Sequence, residues 1–223
     1  LYSFTDSRSE GDVRVDVAFT DAALDLQGPK PGFDEALAKV EADCGVSFAR
    51  LSQVHGDEVL VVDEPVAGEG DALVTTRRGL GLMVRAADCV PVLLADAAAG
   101  VVGAVHAGRV GVSIDVVGRT VERMRELGAT DLQAWVGPHV CGRCYEVPAD
   151  LRDEVAAVVP QTRAETSWGT PSLDLGAGVA AQLATRDVAV VEVGRCTLED
   201  PDLHSYRRDG AASGRLAGLV WLT

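Results

Sequence analysis

His55, Cys89 and His106 are the residues of this 223-residue chain whose types and surroundings best suit chemistry. Each lies in its own short turn beside an apolar segment: Gln53-Val54-His55-Gly56, Ala87-Asp88-Cys89-Val90-Pro91 and Ala104-Val105-His106-Ala107-Gly108. Two imidazoles and a thiolate form a donor set that Zn²⁺ prefers, and three protein ligands leave a fourth position for water or substrate, as in a catalytic rather than a structural site. Taken singly, each residue has a plainer reading: a Cys among Val and Leu is usually a small core residue, and a His after a strand a satisfied turn residue. The flanks argue for chemistry. Gly56 and Gly108 permit close backbone approach, and Asp88 sets a carboxylate beside the thiol.

Further candidates surround this trio. After His106, Ala107-Gly108-Arg109-Val110-Gly111 leads towards a helix, so free N–H groups and the Arg109 guanidinium could receive a phosphate or carboxylate; an ordinary strand-to-helix turn explains the loop equally well. Asp71 and Glu146 are acidic residues in apolar or Gly-rich settings, suited to proton transfer, to a substrate contact or to capping a turn. Cys141 and Cys144 form a Cys-x-x-Cys pair. A structural zinc needs a second pair at short spacing, and the remaining cysteines, Cys44 and Cys196, are single and distant in sequence, so neither a second zinc site nor a redox pair is expected.

The elements that must position these residues are short. Apolar, β-branched runs predict strands at Val13–Phe19, Val59–Val62, Ala72–Thr75, Gly81–Val84, Val90–Leu94, Val101–Val105, Leu132–Val136, Val188–Val193 and Leu216–Leu222. Several lack alternation, which suits strands covered on both faces. The clearest helix runs from Ser113 to Leu127, with Ser113 as its cap and Gly128 as its stop; weaker patterns span Phe33–Ala42, Ala149–Val159 and Asp174–Thr185. Closely spaced strand pairs around Gly79-Leu80-Gly81 and Ala97-Ala98-Ala99-Gly100 argue for a mixed sheet. A hairpin through the second turn would bring Cys89 and His106 to one sheet end. His55 joins them only if the strand that follows it is a neighbour.

Composition bounds the rest. The chain has the length and apolar content for one domain over residues 1–223. With 20 basic against 34 acidic residues, its net charge of −14 repels nucleic-acid phosphates and anionic lipid heads. There is no membrane-length apolar run, and the opening residues lack the basic and apolar regions of a signal peptide, so a cytoplasmic protein with reduced thiols is expected. Its partners are expected to be small molecules, with the protein a monomer or weak homo-oligomer.

Together the motifs resemble one family, the YfiH-like proteins, also described as laccase-domain, polyphenol oxidase or purine nucleoside phosphorylase proteins. The resemblance rests on Gln53-Val54-His55-Gly56, Asp71-Ala72-Leu73-Val74-Thr75, Ala87 to Leu94, Val105-His106-Ala107-Gly108, Gly137-Pro138, Cys144-Tyr145-Glu146-Val147 and Ser205-Tyr206-Arg207-Arg208. It implies an α/β (α+β) fold, a layered α-β-β-α sandwich with mixed sheets similar to the deamidase domain of cytotoxic necrotizing factor. It places the family's metal ligands on His55, Cys89 and His106. The implied activity is zinc-dependent phosphorolysis of adenosine, inosine and methylthioadenosine with adenosine deamination, with Asp88 or Glu146 helping the base depart. Two alternatives are a Cys/His amidase-type hydrolase acting on a muropeptide-like substrate and a copper-dependent polyphenol oxidase. Zn²⁺ is preferred to Cu²⁺, because a laccase needs several coppers and many histidines and this chain has four. Two segments depart from the family pattern: Arg109-Val110 replaces its Trp-Arg, and Phe19 to Leu26 replaces its Gly-rich amino-terminal motif.

Overall fold

A computed structural model describes residues 1–65 and 67–223. Nearly every strand of the centre is apolar on both faces, and the architecture shows what covers them. One six-stranded sheet has the order β1 (Tyr2–Glu10), β2 (Val13–Thr20), β14 (Leu216–Leu222), β7 (Leu80–Ala86), β3 (Ser47–Ser52) and β5 (Ala67–Glu69). The other runs β13 (Ala189–Glu192), β10 (Gln133–Val136), β8 (Val90–Asp96), β9 (Val101–Ala107), β6 (Ala72–Thr75) and β4 (Val59–Val61). Both mix parallel and antiparallel pairs. A short ribbon pairs β11 (Arg163–Glu165) with β12 (Pro171–Leu173).

The two sheets pack face to face, with helices outside each. Between them lie Phe19, Leu51, Leu82 and Val84 from one side and Leu73, Leu93, Ala104 and Trp135 from the other. On the outer face of the first sheet, α1 (Phe33–Cys44) buries Phe33, Leu37 and Val40 against Phe48, Met83 and Leu219. On the outer face of the second, α3 (Val116–Glu126), α4 (Ala149–Val158) and α5 (Leu175–Ala184) cover Val92, Leu94 and Val105. Leu93 thus points into the inter-sheet core while Val92 and Leu94 point to the helices, the period-2 geometry of a strand with no wet face. Each such side chain contributes about 1.5–3 kcal/mol by leaving water. This is the layered α-β-β-α arrangement with mixed sheets.

Two local expectations are corrected. The segment before the long helix is a separate turn of helix, α2 (Arg109–Ser113), and α3 begins only at Val116. Ser113 therefore ends α2, its hydroxyl turned back to the Arg109 carbonyl, and Asp115 caps α3 by accepting from the Gly118 N–H at 3.2 Å. Gly128, at φ 102°, does supply the left-handed residue after α3. The strands around Gly79-Leu80-Gly81 are not paired with each other: β6 and β7 lie in different sheets, so that connection crosses between layers.

Candidate functional site

β8 and β9 form an antiparallel hairpin in which Val90 faces Ala107 and Pro91 faces His106. Cys89, just before β8, and His106, near the end of β9, therefore reach the same sheet end. β6 pairs with β9 and β4 with β6, which delivers the His55 turn to that end as well. The metal-ligating atoms of His55, Cys89 and His106 lie within 4.8 Å of one another, with Cys89 Sγ 3.8 Å from His55 Nε2. The imidazole rings meet edge to face with centroids 4.8 Å apart. A tetrahedral zinc site separates N and S ligands by about 3.6 Å, so the donor set and its spacing fit such an ion. Exposure is graded: His106 is buried, Cys89 half-buried and His55 exposed, so the cluster opens to solvent on one side.

Asp71 organises the cluster from behind. Its fully buried carboxylate accepts the backbone N–H groups of Val54, His55 and Gly56 at 3.2, 3.0 and 2.6 Å and binds His106 Nδ1 at 2.8 Å. It holds the left-handed His55 turn (φ 62°) and directs His106 Nε2 towards the other two side chains. Asp71 thus lies buried behind the cluster, its carboxylate engaged by these four donors. Gly108 is needed for close approach: a Cβ there would stand 2.6 Å from His55 Cδ2 and 3.2 Å from Cys89 Sγ.

Electrostatics couple the three ionisable groups. Burial disfavours the Cys89 thiolate, but His106 and His55 outweigh burial and bring the thiol down to about 6. Burial likewise disfavours the His106 imidazolium, yet Asp71 and Cys89 raise it to about 9. Asp71 sits below the usual carboxylate range: burial opposes its charge, but His106 and the loop N–H groups overcome that.

The cluster lies in the wall of an open cleft of about 900 Å³, also lined by Arg85, Tyr145, Tyr206, Arg207 and Arg215. The three guanidiniums hydrogen-bond backbone carbonyls, Arg85 to Leu51, Arg207 to Glu146 and Arg215 to Gly214. Among the described residues none of the three forms an ion pair with a carboxylate. Burial and the charges of Arg50 and Arg215 push Arg85 below the ordinary arginine value. In a chain of net charge −14 this is a localised positive receptacle. Arg207 also stacks over Tyr145, 4.5 Å from its ring centroid.

Of the remaining sequence candidates, Asp88 lines the cleft while Glu146 and Arg109 do not. Asp88, left-handed at φ 90°, is buried and committed, its carboxylate accepting the Thr197 hydroxyl at 2.6 Å and the Arg207 N–H at 2.7 Å. Glu146 is exposed, its carboxylate accepting Trp168 Nε1–H at 2.7 Å. Both oxygens of Asp88 and one of Glu146 thus already accept hydrogen bonds. Arg109 opens the one-turn α2 outside the cleft lining, so the expected long helix N-terminus is absent there. The cleft arginines escaped sequence reading because they converge from β7, α6 (Tyr206–Asp209) and the approach to β14; only Tyr206-Arg207 lay in a motif already singled out.

Such a scaffold, a Cys/His cluster on the rim of an α-β-β-α sandwich, defines a class that comparison with known proteins makes specific. Residues 20–223 match the family described as multi-copper polyphenol oxidoreductase laccase, and the chain belongs to this YfiH-like, laccase-domain family. It is 55% identical over 180 residues to a purine nucleoside phosphorylase of Streptomyces griseus, covering 77% of this chain and 73% of that one. It is 51% identical over 208 residues to a purine nucleoside phosphorylase of Streptomyces coelicolor, covering 87% and 85%. Among solved structures, a Neisseria meningitidis protein superposes with a TM-score of 0.82 at 26% identity, covering 98% of both chains. YfiH of Bacillus licheniformis, at 21% identity and a TM-score of 0.83, covers 94% of this chain and 93% of its own and shares the fold.

Proposed function

We propose that the cleft carries out phosphate-dependent cleavage of purine nucleosides, adenosine, inosine and methylthioadenosine among them, with Zn²⁺ held by His55, Cys89 and His106. The observation that carries this reading is the meeting in one cleft of that cluster with three arginines that, among the described residues, lack carboxylate partners. The names of the Streptomyces relatives support it. When bound, the ion supplies Lewis acidity beside the reacting atoms.

The chain's own residues do the rest. Arg85, Arg207 and Arg215 attract and orient phosphate, whose oxygen bonds to the anomeric carbon as the bond from that carbon to the purine nitrogen breaks, its electron pair leaving with the base. The base then needs a proton or a strong hydrogen bond. Burial and the nearby Cys89 charge hold the Tyr145 phenol above its ordinary value despite Arg207 and Arg109, so it stays protonated and can donate to the base. Tyr145 takes the place the sequence reading gave to Asp88 or Glu146. Deamination of adenosine to inosine, implied by the family resemblance, would use the same cleft.

Purified protein of measured metal content should convert adenosine to adenine and ribose 1-phosphate only when phosphate is present. Formation of neither adenine nor inosine overturns the reading. A second reading is favoured by the Asp71–His106–Cys89 chain, which without metal is arranged as a thiolate nucleophile beside an oriented imidazolium and would suit an amide hydrolase acting on a muropeptide-like substrate. Chelation separates the two: it abolishes phosphorolysis and spares a thiol hydrolase. A multicopper oxidase fits poorly, since a laccase needs several coppers and many histidines, and of the four histidines only His55 and His106 join a metal-ligating cluster among the described residues.

A further inference from the structure

The sequence left Cys141 and Cys144 without partners, but the fold provides them. β10 and β13 are parallel neighbours, with Val136 beside Glu192, and the chain stays paired beyond both strands through a His139–Cys196 bridge. His139 N donates to the Arg195 carbonyl at 3.3 Å and Thr197 N to the His139 carbonyl at 3.0 Å. Two similar turns follow at the same end. In Cys141-Gly142-Arg143-Cys144 the Cys144 N–H closes on the Cys141 carbonyl at 2.9 Å; in Cys196-Thr197-Leu198-Glu199 the Asp200 N–H closes on the Cys196 carbonyl at 3.0 Å. The spacing is thus Cys-x-x-Cys and Cys-x-x-Glu, two paired turns of the kind that present ligands to one ion.

The geometry agrees. The donor atoms of Cys141, Cys144, Cys196 and Glu199 lie within 4.8 Å of one another, with Cys141 Sγ 4.0 Å from Glu199 Oε2. Cys144 is buried, Cys141 and Cys196 are half-buried, and Glu199 closes the rim. Backbone N–H groups of Cys141, Leu198 and Glu199 point at Cys196 Sγ, the first at 3.4 Å, as donors do around a thiolate ligand. Arg143, 3.9 Å from Glu199, offsets part of the negative charge such a set would gather.

We infer that Cys141, Cys144, Cys196 and Glu199 form a second, closed, thiolate-rich site for Zn²⁺, separate from the His55–Cys89–His106 cluster. Its role is structural, because four protein donors leave no open position. It clamps the two loops that carry Val140 and Thr197, and both hold Asp88: Val140 N donates to the Asp88 carbonyl at 3.1 Å and Thr197 Oγ1 to its carboxylate at 2.6 Å. The ion would thereby hold in place the residue beside Cys89. The inference does not depend on what the cleft catalyses.

The test is metal counting on protein purified under reducing conditions. Wild type saturated with zinc should hold two ions per chain, and Cys144→Ser or Cys196→Ser should hold one. A chain with His55→Ala, Cys89→Ala and His106→Ala should still bind one Co²⁺, with intense sulfur-to-cobalt charge transfer and the visible bands of a tetrahedral site. Glu199→Cys should keep that ion and increase the charge-transfer intensity. No metal bound by the folded His55/Cys89/His106 variant overturns the inference. So does Co²⁺ bound without charge transfer in the folded His55/Cys89/His106 variant, or a disulfide joining any two of Cys141, Cys144 and Cys196 in zinc-replete, reduced protein.

Discussion

Asp71 shows how one buried carboxylate can build a site from behind. It fixes the His55 turn through three N–H groups and the His106 ring through Nδ1, so the donors converge before any ion arrives. Asp71→Asn keeps the size but loses the charge, and should weaken zinc binding by about 10–100-fold. A competition titration against a chromophoric chelator measures this; metal affinity unchanged from wild type would contradict the role given to Asp71. The trio itself was legible because its residue types are rare and flanked by glycine and aspartate. The hydrogen-bond partners of Asp88 and Glu146 were not legible, for a physical reason: Thr197, the Arg207 N–H and Trp168 come from distant parts of the chain and leave no local signal.

At the scale of elements, the β8–β9 hairpin carries the chemistry at its open end and is pinned at its closed end. There Asp96, buried, accepts Ala99 N–H at 2.9 Å and the Thr130 and Asp131 N–H groups at 2.7 and 2.8 Å. Burial opposes its charge, but these donors more than compensate and leave it below the usual carboxylate range. A depressed folded value means that this stabilisation is present above the unfolded value of about 3.9 and is lost as pH falls through the folded one. Asp96→Asn should lower stability at neutral pH by about 1–3 kcal/mol and flatten the acid limb of a urea-midpoint-against-pH curve. A variant with the wild-type acid limb would contradict this. The apolar strands were legible because burial on both faces leaves continuous runs of Val, Leu and Ala. β1 was not, because its Thr-Asp-Ser-Arg-Ser-Glu end is an exposed edge with little apolar pattern. The split of α2 from α3 was hidden because Ile114 and Val117 keep helical spacing across the break, while the left-handed turn at Asp115 has no such signature.

At the scale of the molecule, two sheets between helices bring turns from distant parts of the sequence to common edges, and both clusters of candidate metal ligands lie where strands end side by side. The layered fold could be anticipated from strands without a wet face and from the family resemblance, whereas the partnership of Cys196 and Glu199 with Cys141 and Cys144 could not, because it depends on β10 and β13 being neighbours. The same convergence sets three arginines in one cleft of an otherwise acidic protein, where an anion would meet opposite charge. The central claim is that His55, Cys89 and His106 clasp one ion and leave a coordination position open to that cleft. Diffraction from crystals of zinc-replete protein, recorded just above and just below the zinc absorption edge, tests it most directly. The account predicts an anomalous peak between His55 Nε2, Cys89 Sγ and His106 Nε2 that vanishes below the edge, with one side of the ion facing the cleft; no peak there, or an ion enclosed by four protein donors, would contradict it.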